Sequence, residues 1–182
     1  MLSNNNKLFI VGIFALLVIG ITISYFLTFK KTADNSCKPD IKKLIISGDS
    51  LEPLYKNGDT VKVDYNFQKC KGKTALLRND IIVFKTGEKG EMIIKMLLGL
   101  PGDKFLVKDN RIYINDSILR NPEGQEYELD NSSFKLLKLY SDDYNGKIPD
   151  GLFLVMGSKL GAMGSNTFGL VSLNQLIGKV VK

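Results

Sequence analysis

DIIVFKTGEKGEMIIKMLLGLPGD, residues 80–103, decides how the chain is read. Two apolar bursts, Ile81–Phe84 and Met92–Leu98, are separated by TGEKGE, a stretch rich in glycine and charge. Short apolar runs bounded by turn residues form hairpins, so the segment predicts two antiparallel strands around Val83 and Ile93. Inside the second burst stands one charge, Lys95, with no other charged residue for three positions on either side. The hairpin sets the fold class; the isolated lysine is the first candidate for chemistry.

The same pattern extends outward in both directions. Strands are predicted at KLIIS (43–47), DTVKVDYN (59–66), KFLVK (104–108), RIYIND (111–116), FKLLKLY (134–140) and LFLVMGS (152–158), each flanked by Gly, Asn or Asp. The dipeptide DN (109–110) reads as a two-residue turn joining KFLVK to RIYIND. LRNPEGQEYELDNSS (119–133) is polar and reads as a long surface loop. With no long amphipathic helical pattern, the expected fold is mainly β. It is preceded by one N-terminal transmembrane helix.

That helix is read from LFIVGIFALLVIGITISYFLTF, residues 8–29, 22 positions without a charge. At 1.5 Å per residue such a helix spans roughly 33 Å, close to the hydrocarbon thickness of a bilayer. A cleaved secretory leader fits less well: the run is too long, and no small-x-small site precedes Lys30 and Lys31. The domains expected are therefore a tail (1–7), an anchor (8–29), a polar linker (30–42) and one β domain (43–182). The chain has 182 residues, 44% of them apolar, enough for one ordinary core. Lys7 precedes the anchor, whereas Lys30, Lys31, Lys38, Lys42 and Lys43 follow it. Counting positive residues keeps the large domain in the cytoplasm. Long domains, however, are translocated regardless of charge.

The net charge of +6 is spread over scattered lysines with no aromatic-interleaved basic stripe, which argues against nucleic acid as a partner. The lysines nearest the anchor suit anionic lipid headgroups of the bilayer. Cys37 and Cys70 lack metal-ligand spacing; they form one disulfide or stay as two free thiols. No metal or other cofactor is expected.

A second chemical candidate is Ser50, in LIISGDSLEPLYKNGDTVKV (44–63). The chain contains no histidine, so a Ser-His pair is excluded. By local sequence Ser50 is an ordinary turn serine unless another base serves it. Most lysines lie in polar surroundings and stay protonated, but burial disfavours the charged form of a lysine and can bring it near neutrality. Lys95 is placed for that. It is either such a base or a lysine leaving an apolar strand on its solvent face.

SGDSLEP, KNGD, RNDIIVFK (78–85), KMLLGLPGD (95–103), NRIYIND (110–116) and IPDGLFLVMGS (148–158) occur in an order that resembles the type I signal peptidases. The resemblance covers most of residues 44–182. It implies a membrane-anchored serine endopeptidase on a β-rich fold, with a Ser-Lys dyad. Ser50 would be the nucleophile, Lys95 the general base, and the Ser50 backbone N–H an oxyanion donor. The partners implied are the signal peptides of exported preproteins, cut after small residues at the last and third-last positions. The resemblance places the catalytic domain on the outer face of the cell membrane, against the lysine count.

Several positions depart from the family pattern. Gly48 stands where some members carry a serine hydroxyl as a second oxyanion donor, so that donor is absent. Leu51, Leu54 and Met96 replace the usual methionine, threonine and arginine. The last box, GSKLGAMGSNTFG (157–169), is one residue shorter than the family's. Aligned from Phe168-Gly169, the serine that orients the lysine falls on Ala162, the aspartate on Gly164 and the arginine on Asn166. Ser158 and Ser165 are the hydroxyls available to substitute. This degraded box favours an alternative, a catalytically weak or inactive relative that binds exported or pilin-type substrates and assists their assembly. A self-cleaving repressor-type protease would share the Ser-Lys chemistry. It also predicts an Ala-Gly or Cys-Gly bond before Ser50, and the chain has none.

Overall fold

The hairpin of residues 80–103 pairs Ile81 with Met96, Ile82 with Lys95 and Thr86 with Glu91. A computed structural model of the chain describes residues 38–69, 75–87 and 90–181. In chain order the strands are β1 (Ile41–Ile45), β2 (Thr60–Asp64), β3 (Ile81–Thr86), β4 (Glu91–Gly99), β5 (Phe105–Lys108), β6 (Arg111–Ile114) and β7 (Ser117–Ile118). Then come helix α1 (Asn131–Asp143), β8 (Leu152–Met156), the short helix α2 (Ser165–Phe168), β9 (Val171–Ser172) and β10 (Leu176–Val181). Seven strands form one sheet in the order β1-β2-β10-β3-β4-β8-β9, and β5-β6-β7 form a second.

Successive side chains of a strand point to opposite faces. In β3, Ile81 and Val83 join one buried cluster while Ile82 and Phe84 join another. In β8, Leu154 and Met156 divide from Phe153 and Val155 in the same way. Both faces of the sheet centre are therefore covered, which is why these strands read as continuous apolar runs rather than alternating ones. The DN turn is present, with Asp109 and Asn110 both at positive φ between β5 and β6.

Three expectations are corrected. FKLLKLY is helical, part of α1. Its buried residues Ser133, Leu137 and Ser141 recur every fourth position, and Asp130 caps the start by accepting from the Ser133 N–H at 2.7 Å. The capping residue lies outside the apolar burst, so apolar density alone misassigned it. Second, 119–133 is more than a surface loop: Leu119, Asn121, Tyr127 and Leu129 are buried. Third, β10 was missed although it lies between β2 and β3. Gly178 interrupts its apolar run, and a Cβ there would fall 2.4 Å from the Val63 side chain.

The apolar stretch 8–29, the tail 1–7, Cys37 and Cys70 lie outside the described residues. Among the described residues no helix is long and apolar enough to cross a membrane.

Candidate active site

Ser50 lies in the connection from β1 to β2. That connection is pinned at its base by the Ile46 N–H on the Asp59 carbonyl and the Gly58 N–H on the Ile46 carbonyl, both 2.8 Å. Gly48 adopts φ +83°, a conformation open to glycine, and its N–H donates to Asn57 Oδ1 at 3.0 Å. Leu51 is fully buried in the core cluster. Burying a leucine contributes about 2 kcal/mol, so the residue next to Ser50 anchors an otherwise exposed turn. Among the described residues the Ser50 N–H has no hydrogen-bond acceptor.

Lys95 comes from β4, and its Nζ donates to Ser50 Oγ at 2.6 Å. Only 6% of Lys95 is exposed. Burial pulls its pKa below the ordinary lysine value, and the Asp49 carboxylate partly opposes that shift. The two residues share an open cleft of about 470 Å³, lined also by Leu44, Ile45, Met92, Ile94, Ala162 and Met163. β4 pairs with β3 along Glu91–Met96, but β8 joins it only from Met96 onward. Among the described residues β1 likewise pairs only with β2. The cleft therefore lies between two strand segments that each keep one backbone edge unpaired, the geometry that accepts an extended peptide.

The remaining sequence candidates fall differently. Ser165 Oγ accepts from the Val155 N–H at 2.9 Å and so is committed to β8. Ser158 is fully buried, and among the described residues its Oγ has no hydrogen-bond partner. Neither bonds Lys95, whose hydrogen bond is to Ser50. Ala162 reaches the cleft, as the aligned serine would, but brings no hydroxyl. Gly164 has a steric reason to be glycine: a Cβ would meet the Val155 carbonyl at 2.7 Å and Met156 Cα at 2.9 Å. The shortened box runs too close to β8 for an aspartate at this place. Among the described residues no cluster of histidine, cysteine or carboxylate side chains could hold a metal ion.

Sequence reasoning missed the groups that hold the site from behind. Tyr127 is buried; its hydroxyl donates to the Gly157 carbonyl at 2.7 Å, and burial holds its pKa far above the usual tyrosine range. Asn121 donates to the Ser158 carbonyl at 3.1 Å. Both come from the stretch read as a surface loop. Three of the quoted motifs meet in a second support. Asp103 of GLPGD accepts from Arg78 Nη2 at 2.9 Å with both carboxylate oxygens and from Asn115 at 2.7 Å, and Arg78 Nη1 donates to the Leu98 carbonyl. With one guanidinium nitrogen on the carboxylate and the other on a backbone carbonyl, the arginine is held in one orientation. The end of the strand that carries Lys95 is thereby tied to β6 and to the residues before β3.

Lys159 was missed too. Its Nζ is ion-paired with Asp49, lies 3.9 Å from Glu52, and its N–H donates to the Ser50 carbonyl at 3.2 Å. The bond from Lys159 holds the Asp49 carboxyl below its usual pKa, and the same bond raises that of Lys159. Nothing local marks a lysine whose partner is 110 positions away.

Ser50 and Lys95 thus meet in one open cleft, with burial drawing the lysine pKa below its ordinary value. The family profile described as signal peptidase, peptidase S26, matches residues 7–182. Signal peptidase I U of Bacillus subtilis is 33% identical over 141 residues, 75% of this chain and 72% of that protein. Signal peptidase I of Bacillus caldolyticus is 29% identical over 143 residues, 75% of each chain. Signal peptidase IB of Staphylococcus aureus is 28% identical over 143 residues, 74% of this chain and 73% of that protein. With the profile spanning nearly its whole length and a relative one-third identical over most of both sequences, the chain belongs to the signal peptidase, peptidase S26, family.

Proposed function

We propose that this chain is a membrane-anchored endopeptidase that removes signal peptides from exported preproteins, with Ser50 as nucleophile and Lys95 as general base. The observation that carries the reading is the 2.6 Å contact between a buried Lys95 ammonium nitrogen and Ser50 Oγ. An uncharged Lys95 takes the Ser50 proton as Oγ attacks the scissile carbonyl carbon. The Ser50 N–H stabilises the oxyanion. Collapse of that intermediate breaks the C–N bond, and Lys95 returns the proton to the departing amine, leaving an acyl-enzyme. Lys95 then accepts a proton from water, the hydroxide adds to the ester carbon, and Ser50 leaves reprotonated.

The apolar cleft walls and unpaired edges of β1 and β4 suit the extended end of a signal peptide, with its small residues nearest Ser50. Residues 8–29 would hold the enzyme at the membrane from which the signal peptide emerges, with the catalytic domain on the outer face. Domain bounds of 30–42 for the linker and 43–182 for the catalytic domain go with this reading. Ala162 favours a second one, a binding protein of little activity, because the position facing the dyad carries no hydroxyl.

The full chain in lipid is expected to cleave a preprotein with alanine at the last and third-last signal-peptide positions, and Ser50→Ala to leave it intact. Equal cleavage by both proteins, or by neither, would remove the enzyme reading. Ala162→Ser is a graded test. A hydroxyl there is expected to raise kcat roughly fivefold, the rate equivalent of one hydrogen bond of about 1 kcal/mol. An unchanged kcat would show that Lys95 is already held by other means.

A further inference from the structure

Lys159 touches the nucleophile segment in two ways. Its backbone N–H donates to the carbonyl of Ser50 itself, and its ammonium pairs with Asp49, with Glu52 Oε2 3.9 Å away. The side chains of the pair are 46% and 63% exposed. Exposed pairs contribute about 0–1 kcal/mol to stability, so holding the fold together is a poor account of this contact. Its place is more informative. Asp49 lines the same cleft as Lys95, and its charge favours the protonated lysine. A carboxylate left bare there would oppose the function of a base.

Building on the reading of Ser50 and Lys95 as the reacting pair, we infer that Lys159 is a positioning residue of the reaction. Its N–H fixes the Ser50 carbonyl, and its ammonium neutralises Asp49, which keeps Lys95 able to accept a proton.

The other charged groups around Lys95 leave this assignment intact. β3 places Ile82 opposite it, and the strand's charged residue, Lys85, faces Met92 toward the hairpin end. β4 carries Glu91 at that same end, β8 carries no charge, and β1 presents Lys42, paired with Asp40, and Lys43. Among the described residues the charge that acts on Lys95 is that of Asp49.

The test is the pH dependence of kcat/KM for the full chain in lipid, with the alanine-site preprotein as substrate. Lys159→Met leaves the backbone N–H in place and bares Asp49. The acid limb of the profile is expected to move up by about half a pH unit, the scale for one exposed, screened charge near a titrating group. On that limb the rate falls roughly threefold. Asp49→Asn moves the limb down by a similar amount, and Lys159→Arg, which keeps the charge, restores the wild-type profile. In 1 M salt both shifts shrink, because the Debye length falls to about 3 Å.

Superimposable acid limbs in wild type, Lys159→Met and Asp49→Asn would overturn the inference while the reacting pair stood. A wild type without an acid limb, or a Lys95→Met variant that still cleaves, would instead overturn the reacting pair. Should Lys159→Met fail to fold, Lys159→Gln, which also removes the charge, carries the same test.

Discussion

Lys95→Met is expected to lower kcat/KM for preprotein cleavage by about a thousandfold or more while leaving the protein folded. Loss of a general base alone costs roughly 10²–10⁴. In the proposed mechanism the same nitrogen also serves deacylation, and residues that act as a unit fail as a unit. Methionine has the length and apolarity to fill the space of a side chain that is 94% removed from solvent by its 6% exposure. Removing a buried ionisable group also removes its desolvation cost, so the thermal midpoint is expected to hold or rise. Lys95→Arg separates charge from basicity: a guanidinium stays protonated at any accessible pH, and this variant is expected to be equally inactive.

The sign of the pH dependence follows from the same group. As the proposed general base Lys95 reacts in its neutral form, so activity is expected to fall as pH drops through its pKa. Burial sets that pKa below the ordinary lysine value of 10.5, and the acid limb must therefore lie below the pH at which a solvated lysine titrates. Cleavage by Lys95→Met within tenfold of wild type, with an unchanged profile, would assign the base to another residue.

What could be read from the sequence, and what could not, divides by the range of the interactions. The β3–β4 hairpin was legible because its apolar bursts and its glycine turn are contiguous. Ser50 and Lys95 stood out as a pair through the motifs around them, and their 2.6 Å contact joins residues 45 positions apart. α1 was lost because its cap, Asp130, and its buried serines are polar and lie around the apolar burst rather than in it. β10 was lost because Gly178 serves a close approach to Val63, a demand made by a strand more than 100 positions earlier. Lys159, Tyr127 and Asn121 are ordinary polar residues. Only their partners, Asp49 and the carbonyls of Gly157 and Ser158, give them a role.

The last box is also better described by space than by loss. Gly164 sits where a side chain would overlap β8, and the buried Oδ1 of half-buried Asn166 lies close to the position of a Gly164 Cβ. An aspartate could not be restored at 164 without moving the loop. Removing both partners of an ion pair strands no charge, so the shortened loop remains compatible with the fold. Of the three aligned positions, only Ala162 lines the cleft.

Gly157→Ala tests that close packing where the loop meets Ser50 and is expected to cost activity about a hundredfold. A Cβ on Gly157 would lie 2.5 Å from the Ser50 carbonyl oxygen and 2.7 Å from Ala162 Cβ. Neither neighbour is the far end of a flexible side chain, so one of the two loops must shift. A displacement of about 1 Å at a reacting group costs on the order of 10² in rate. The overpacking itself costs about 1–3 kcal/mol of stability. Gly178→Ala separates the two effects, because its Cβ would crowd Val63 at 2.4 Å, and neither residue lines the cleft. It should lower the thermal midpoint while kcat per folded molecule stays near wild type. If the two variants lost stability and rate in the same proportion, the contact between Gly157 and Ser50 would be serving the fold and not the placement of the nucleophile.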